Sequence, residues 1–366
     1  MEGGSLSEVT LSIGPQHPGS GHFRLLISID GDTITKAIPD PGYVHRGVEK
    51  QAEYREYLQN IPLLERPVIS DSNGSVYGYV LSVEKLAALV VPERAQYIRV
   101  LMAELNRIMS HLYWLAIYGI FLGHSTMFMW PFGDREVIID LAQSVMGTRL
   151  TYSYFVPGGV RNDVPEGFKD KVLPALEFIE KRLPEYEAIF VENPVFVKRT
   201  KGVGVLRSED AIKLGVVGPT LRGSGVNADA RKDEPYDAYD KVDFDVPTFP
   251  EGDCLSRSKV RIEEMRQSIR IVRQVLDSIP QGAFRTKHPS ILKPPHGSVY
   301  ARAEAARGTF AYFITSKGDK TPYRLKISSP SFRNLPAFGF LMKGSYLADM
   351  PTIYWSLDYW PLEADR

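Results

Sequence analysis

"VPERAQYIRVLMAELNRIMSHLYWL", residues 91–115, decides the fold class. Glu93 and Arg94 follow Pro92, the composition of a helix start. Ile98, Leu101, Met102, Leu105, Ile108, Leu112 and Leu115 then recur at intervals of three and four and form one apolar stripe. A stripe of that length must be buried against other elements, so a helix over 93–118 is expected at the centre of a helical core. Weaker patterns of the same period predict helices over roughly 48–60, 72–88, 134–147 and 166–189. A further one runs over about 255–279, where Val260, Ile262, Met265, Ile269, Val272, Leu276 and Ile279 turn inward and Pro280 stops it.

Outward from these helices the period changes. "FRLLISIDGDTITKAI", residues 23–38, alternates β-branched and polar residues on both sides of Asp30-Gly31, a hairpin signal. Residues 296–327 are β-like again, and 331–357 close the chain with a helix and an aromatic tail. Residues 215–253 have no period and are rich in Gly, Pro and Asp; so long an irregular stretch in a folded chain is usually functional. The reading is α+β, mainly helical: an N-terminal β-sheet region over 1–45, then a helical core over 46–366 carrying the long loop at 215–253 and the β-rich segment at 296–327. No repeat and no clean linker divides it.

Ile108 to Gly133 is a run of 26 residues without Lys, Arg, Asp or Glu. The length suffices to cross a bilayer. Its polar and breaker residues, Ser110, His111, Gly119, Gly123, His124 and Pro131 among them, point instead to a buried helix that ends near Gly119–Gly123 in an apolar, pocket-forming loop. The beginning, "MEGGSLSEV", has no basic segment followed by an apolar run, so no signal peptide is expected.

Composition excludes several classes. Lys plus Arg and Asp plus Glu are both 44, which gives no global basic footprint for nucleic acid. Cys254 is the single cysteine, so a disulfide framework and any multi-cysteine zinc or iron–sulfur site within this chain are excluded; it reads as a structural bystander. The sequence has no GxxxxGK[ST] loop, no GxGxxG, no HExxH and no GxSxG. If the chain takes part in catalysis, it supplies part of a site that another chain completes. "GPQHPGSGH", residues 14–22, concentrates two of the seven histidines in a stretch too rich in Pro and Gly for a helix, hence a fixed loop.

Taken in order, "GPQHP", "GYVHRGVEK" (42–50), "YLQNIPLLER" (57–66), "SVEKL" (82–86), the 91–115 stretch, "GGVRNDVP" (158–165), "GPTLRGSG" (218–225), "ARKDEPYDAYDKVDFDVP" (230–247) and "SPSFRNLPAF" (329–338) resemble the hydrogenase-like large subunit of respiratory complex I, the 49-kDa family. The likeness runs from about residue 10 to the C-terminus. It implies a fold related to the large subunits of nickel–iron hydrogenases. It implies a peripheral position on the cytoplasmic side of the plasma membrane, beside membrane-arm subunits and a C-like partner of the peripheral arm. It also implies a cavity, shared with a B-like iron–sulfur small subunit, in which quinone takes electrons from a [4Fe–4S] cluster on that partner. The activity implied is that of an NADH- or ferredoxin-type:quinone oxidoreductase coupled to ion translocation. No cofactor is expected on this chain alone.

The hydrogenases bind nickel through two Cys-x-x-Cys pairs. The matching positions are Val68 and Asp71 in "RPVISD", and Trp360 and Glu363 in "DYWPLEADR". None is a cysteine, so the resemblance does not extend to nickel–iron chemistry. The sequence also departs from the complex I pattern. Where the family has "PSTHGVLR" this chain has "PGSGHFR", which moves the loop histidine by one position to His22. The family's tyrosine position is Ile69, and its supporting aspartate falls at Phe121. The resemblance therefore leads to His22 as donor to the acceptor's carbonyl, with His124 or Asp71 as second group. His17, Ile69, Ser70, Phe121 and Arg222 are expected at the quinone cavity, and Arg46 and Arg66 near the partner's cluster. The same departures keep open a non-standard donor or acceptor, or a largely non-catalytic scaffold, and suggest an archaeal or deep-branching bacterial source.

Overall fold

The computed structural model describes residues 9–17 and 21–366. Strands β1 (Val9–Ile13), β2 (Arg24–Asp30) and β3 (Thr33–Asp40) form an antiparallel sheet in that order. Asp30 pairs with Thr33, so the two-residue turn is Gly31-Asp32, one position beyond the dipeptide expected from the sequence. Gly31 has φ +58°, a conformation that a side chain disfavours. The sheet has one apolar face to bury and does so against the far end of the chain. Phe23, Leu25 and Ile27 share a cluster with Phe338, Tyr354 and Tyr359. The N-terminal region and the C-terminal helices thus have a common core.

The larger core is built from five helices: α1 (Ser72–Ala87), α2 (Glu93–Phe121), α3 (Ser125–Met146), α4 (Phe168–Tyr186) and α5 (Cys254–Ser278). α2 is central and packs most heavily on α3 and α5. The stripe residues Ile98, Leu105, Ile108 and Leu112 are buried, but so are Arg99, Glu104, Arg107 and His111 on other faces. A helix enclosed on all sides must pair its charges internally.

Two expectations change here. No apolar loop follows Gly123. The chain reverses at Leu122–Gly123 and enters α3 at Ser125, so the helix expected over 134–147 starts nine residues earlier. Pro131 and Gly133 disguise that first part as loop, yet His124 caps it by accepting the Met127 N–H on Nδ1 at 3.2 Å. The expected 48–60 helix is broken into Val48–Ala52, a 3₁₀ turn at Tyr57–Gln59 and a helix at Asn60–Glu65, because Glu56 and Gln59 cap a fresh start. Among the described residues no helix is long and apolar enough to cross a membrane.

The expected β-rich segment is a second antiparallel sheet of β4 (Gly297–Ala305), β5 (Gly308–Ser316) and β6 (Arg324–Ser328). It lies on α1, where Gly78 comes so close that an added Cβ would sit 3.1 Å from the Phe310 carbonyl oxygen. This contact carries the β4–β5 turn down to the start of α1.

Candidate functional site

Three segments distant in sequence meet at that turn. Asp71 caps α1 by accepting the Gly74 N–H at 3.2 Å, takes the Ala306 N–H at 2.7 Å, and receives the Asn106 amide as well. Trp360 donates its indole N–H to the Pro67 carbonyl at 2.6 Å. Arg307, at the tip of the β4–β5 hairpin, reaches between them. Its Nη2 donates to Ser70 Oγ at 2.8 Å and its Nε to the Asp358 carbonyl at 3.1 Å. Its Nη1 lies 4.0 Å from the Glu363 carboxyl, and the guanidinium stands 5.3 Å from the centre of the Trp360 ring. Val68, Asp71, Trp360 and Glu363, the positions matched to the hydrogenase ligands, are therefore brought together, but around an arginine. Among the described residues no group of three or more His, Cys, Asp or Glu side chains is arranged to hold a metal ion.

This cluster is almost dry. Arg307, Asp358, Glu363, Ser70 and Asp71 are all buried. Burial pushes the Glu363 carboxyl up to about 7, with Arg307 only partly opposing it. Burial also works against the charge of Arg307, but the carboxylates of Asp358, Glu363 and Asp71 outweigh it and the guanidinium stays charged. Above the cluster the surface is open. Trp360 is half-buried, Ile69 is 40% exposed and Arg66 is exposed.

The histidine loop borders the same face. An added Cβ on Gly21 would lie 3.7 Å from Pro361, and the Phe23 ring is 4.7 Å from that of Tyr359. His22, between them, is exposed. His17 bridges to Gly21 and closes the loop, of which residues 18–20 lie outside the described ones. Arg46 is exposed too; its segment is tied to the chain end where the Asp365 carboxylate accepts the N–H groups of Gly42 and Val44 at 2.9 and 3.0 Å.

Other expected residues are held by contacts of their own. Phe121 stacks on Trp355 at 4.5 Å, and His124 spends Nδ1 as the cap of α3. Arg222 is fully buried. It donates to Glu264 at 2.8 Å and to Glu304 at 2.8 Å, and nothing of it reaches a surface. It belongs to an internal network that includes Asp229, Arg231, Glu104 and the His111–Glu264 pair at 2.8 Å. Burial disfavours a charge on Glu104, yet Arg107 and Arg231 override it and hold the carboxyl down at about 2. This network explains the aperiodic 215–253 stretch: its order comes from side chains bonded to α2 and α5. Cys254 is buried with its Sγ beside Arg257, and burial raises its thiol pKa.

Sequence reading missed Arg307. The available signal was a charged residue in "AARGTF", the tight turn of an otherwise apolar hairpin.

Comparison with known proteins gives the family. Residues 122–296 and 290–366 match the family model of the respiratory-chain NADH dehydrogenase 49-kDa subunit. The chain belongs to that family. The corresponding NADH-quinone oxidoreductase subunit of Syntrophobacter fumaroxidans is 45% identical over 359 residues, with 98% of this chain and 96% of the relative covered. That of Geotalea uraniireducens is 41% identical over 384 residues, with 98% of each covered. A chain in the solved structure of the membrane-bound sulfane sulfur reductase, an archaeal respiratory membrane complex, superposes with a TM-score of 0.94 at 36% identity, covering 98% of both chains.

Proposed function

We propose that this chain is the acceptor-side wall of a complex I-like, ion-translocating oxidoreductase. An iron–sulfur small subunit would close the cavity over the face formed by His22, Ile69 and Trp360. Quinone would there gain two electrons, delivered singly from the partner's [4Fe–4S] cluster, and two protons, and leave as quinol. The observation that carries this reading is an open, partly apolar face laid directly over a buried cationic site: Ile69 and Trp360 above, Arg307 beneath. A positive charge in a dry setting favours negative charge developing on a quinone oxygen.

In this reading His22 donates to one carbonyl, and His124 or Asp71 acts as second group. Asp71, whose oxygens already receive three donors, serves best by fixing Ser70 and Ile69. His17 and Phe121 border the cavity, and Arg222 acts from within by holding the 215–253 stretch. Arg46 and Arg66, both exposed, would face the partner's cluster. A C-like peripheral-arm partner and the membrane-arm subunits would place the assembly on the cytoplasmic side of the plasma membrane.

The experiment is quinone reductase activity of His22→Ala in the whole complex in native membranes, with co-purification of the iron–sulfur small subunit as the assembly check. Loss of turnover with intact assembly supports the reading. Full turnover refutes a donor role for His22 and means that the acceptor binds elsewhere or that the chain is mainly a scaffold. A second reading is favoured by Ile69, which cannot donate a hydrogen bond, together with the likeness to a sulfane sulfur reductase chain. The acceptor would then be a sulfane sulfur compound, and the same membranes would reduce an organic trisulfide in preference to a quinone.

A further inference from the structure

Glu363 is 2% exposed, and its two carboxyl oxygens have unlike surroundings. Oε1 accepts the Ser331 N–H at 2.6 Å. Oε2 has no hydrogen-bond partner, and neither does the Arg307 Nη1 that faces it across 4.0 Å. The rest of the guanidinium is committed to Ser70 and Asp358. A gap of 4.0 Å is too wide for a hydrogen bond, and an ionised carboxylate opposite a free guanidinium N–H in a dry interior would close it. A protonated carboxyl has no such pull. Glu363 also lines a cavity of about 10 Å³ with Leu64, Val68 and Phe310, close to the smallest space that holds a water molecule.

We infer that Glu363 is a positioning residue of the acceptor site, exchanging a proton with bulk water and thereby setting where Arg307 points. With the proton on, Arg307 stays bound to Ser70 and Asp358 beneath Trp360. With the proton off, the carboxylate draws Nη1 across the gap and weakens the positive field under the acceptor face. No bond to the acceptor is formed or broken by Glu363. The inference rests on the reading of this face as the acceptor site.

The groups that face Glu363 are known from each packed element. Arg307 comes from the β4–β5 turn and Arg366 from the chain end, with Asp358 and Asp365 as the neighbouring acids of the C-terminal segment. Asp71 bears on the same arginine from the segment before α1, and Tyr113 does so from α2. Tyr312 of β5 and Tyr359 are buried phenols that stay protonated. Burial places the Glu363 carboxyl at about 7.

The test uses the intact complex in native membranes with a short-chain quinone as probe, comparing wild type, Glu363→Gln and Glu363→Asp. Infrared difference spectra between acid and alkaline buffer give a second readout. Wild-type turnover is expected to fall several-fold as pH rises through neutrality. Glu363→Gln, locked neutral, should assemble and lose that limb, while Glu363→Asp should keep it with a shifted midpoint. The protonated-carboxyl band that bleaches at alkaline pH should vanish in Glu363→Gln. An unchanged pH limb in Glu363→Gln, or an unchanged carboxyl band, overturns the inference. If the wild-type complex reduces no quinone, the acceptor reading fails, and the infrared band alone decides whether Glu363 carries the proton. If Glu363→Gln does not assemble, the Glu363→Asp midpoint and band position decide.

Discussion

Asp71 accepts the backbone N–H of Ala306 at 2.7 Å, and this bond fastens the β4–β5 turn to the start of α1. The same carboxylate caps α1 through Gly74 and binds Asn106 of α2. Asp71→Ala should therefore leave buried donors unpaired on three elements and cost about 2–4 kcal/mol. Asp71→Asn, which keeps one acceptor oxygen for Gly74 and Asn106 but none for the Ala306 N–H, should cost about half as much. Thermal unfolding of the complex measures both. A stable, assembled Asp71→Ala that has lost turnover would mean instead that Asp71 acts on the acceptor itself.

Arg222 tests the internal network. Its removal strands Glu264 and Glu304 in the core, where a lone carboxylate is costly. Arg222→Met is expected to destabilise the chain by about 3–5 kcal/mol. The loss should appear as proteolytic nicking within 218–241, since that stretch is held mainly by these side chains. Arg222→Lys should rescue little, because one ammonium cannot serve Glu264, Glu304 and the Ala228 carbonyl in a fixed fork. A protease pattern like that of the wild type in Arg222→Met would show that backbone contacts carry the loop.

These two residues mark the limit of what the sequence made legible. The stripe of α2, the N-terminal hairpin and the 296–327 strands were readable because periodicity reports which face is buried. The start of α3 was not, since Pro131 and Gly133 imitate a loop and the cap is a histidine. The convergence of Val68, Asp71, Trp360 and Glu363 was legible only through the matched positions of a related family. Arg307 and the pairing of Arg222 depend on contacts between residues tens to hundreds of positions apart, for which a single sequence has no local signal. The open face of His22, Ile69 and Arg66 likewise emerges only once the chain end is folded back beneath it.

Phe121 offers a further test of the departures from the family pattern. It stacks on Trp355, whose carbonyl accepts the Trp114 indole N–H at 2.7 Å. Phe121→Asp restores the family's residue type but removes a ring contact worth about 1 kcal/mol and sets a charge against an indole. Lower stability with no gain in quinone turnover is expected, measured by thermal unfolding and activity on the same membranes. A gain in turnover would show that an aspartate at this position still reaches the donor histidine.

Glu104 gives the pH dependence of the core. Its carboxyl is held down at about 2 by Arg107 and Arg231, below the ordinary glutamate value of 4.5. A depressed acid stabilises the fold above its unfolded pKa, and that stability is lost as pH falls. The contribution is complete above about pH 4.5 and disappears as pH falls through about 2, a span worth roughly 3 kcal/mol. Glu104→Gln should remove this acid limb. At neutral pH it should also lower stability, because Arg107 and Arg231 lose a charged partner, and Tyr239 on Oε1 and Ser268 on Oε2 cannot both keep an acceptor once one oxygen becomes an amide NH2. Unfolding free energy followed from neutral to acid pH distinguishes the cases. Parallel curves for wild type and Glu104→Gln would mean that the other buried carboxylates of the network, Glu264 and Asp229, set the acid limit instead.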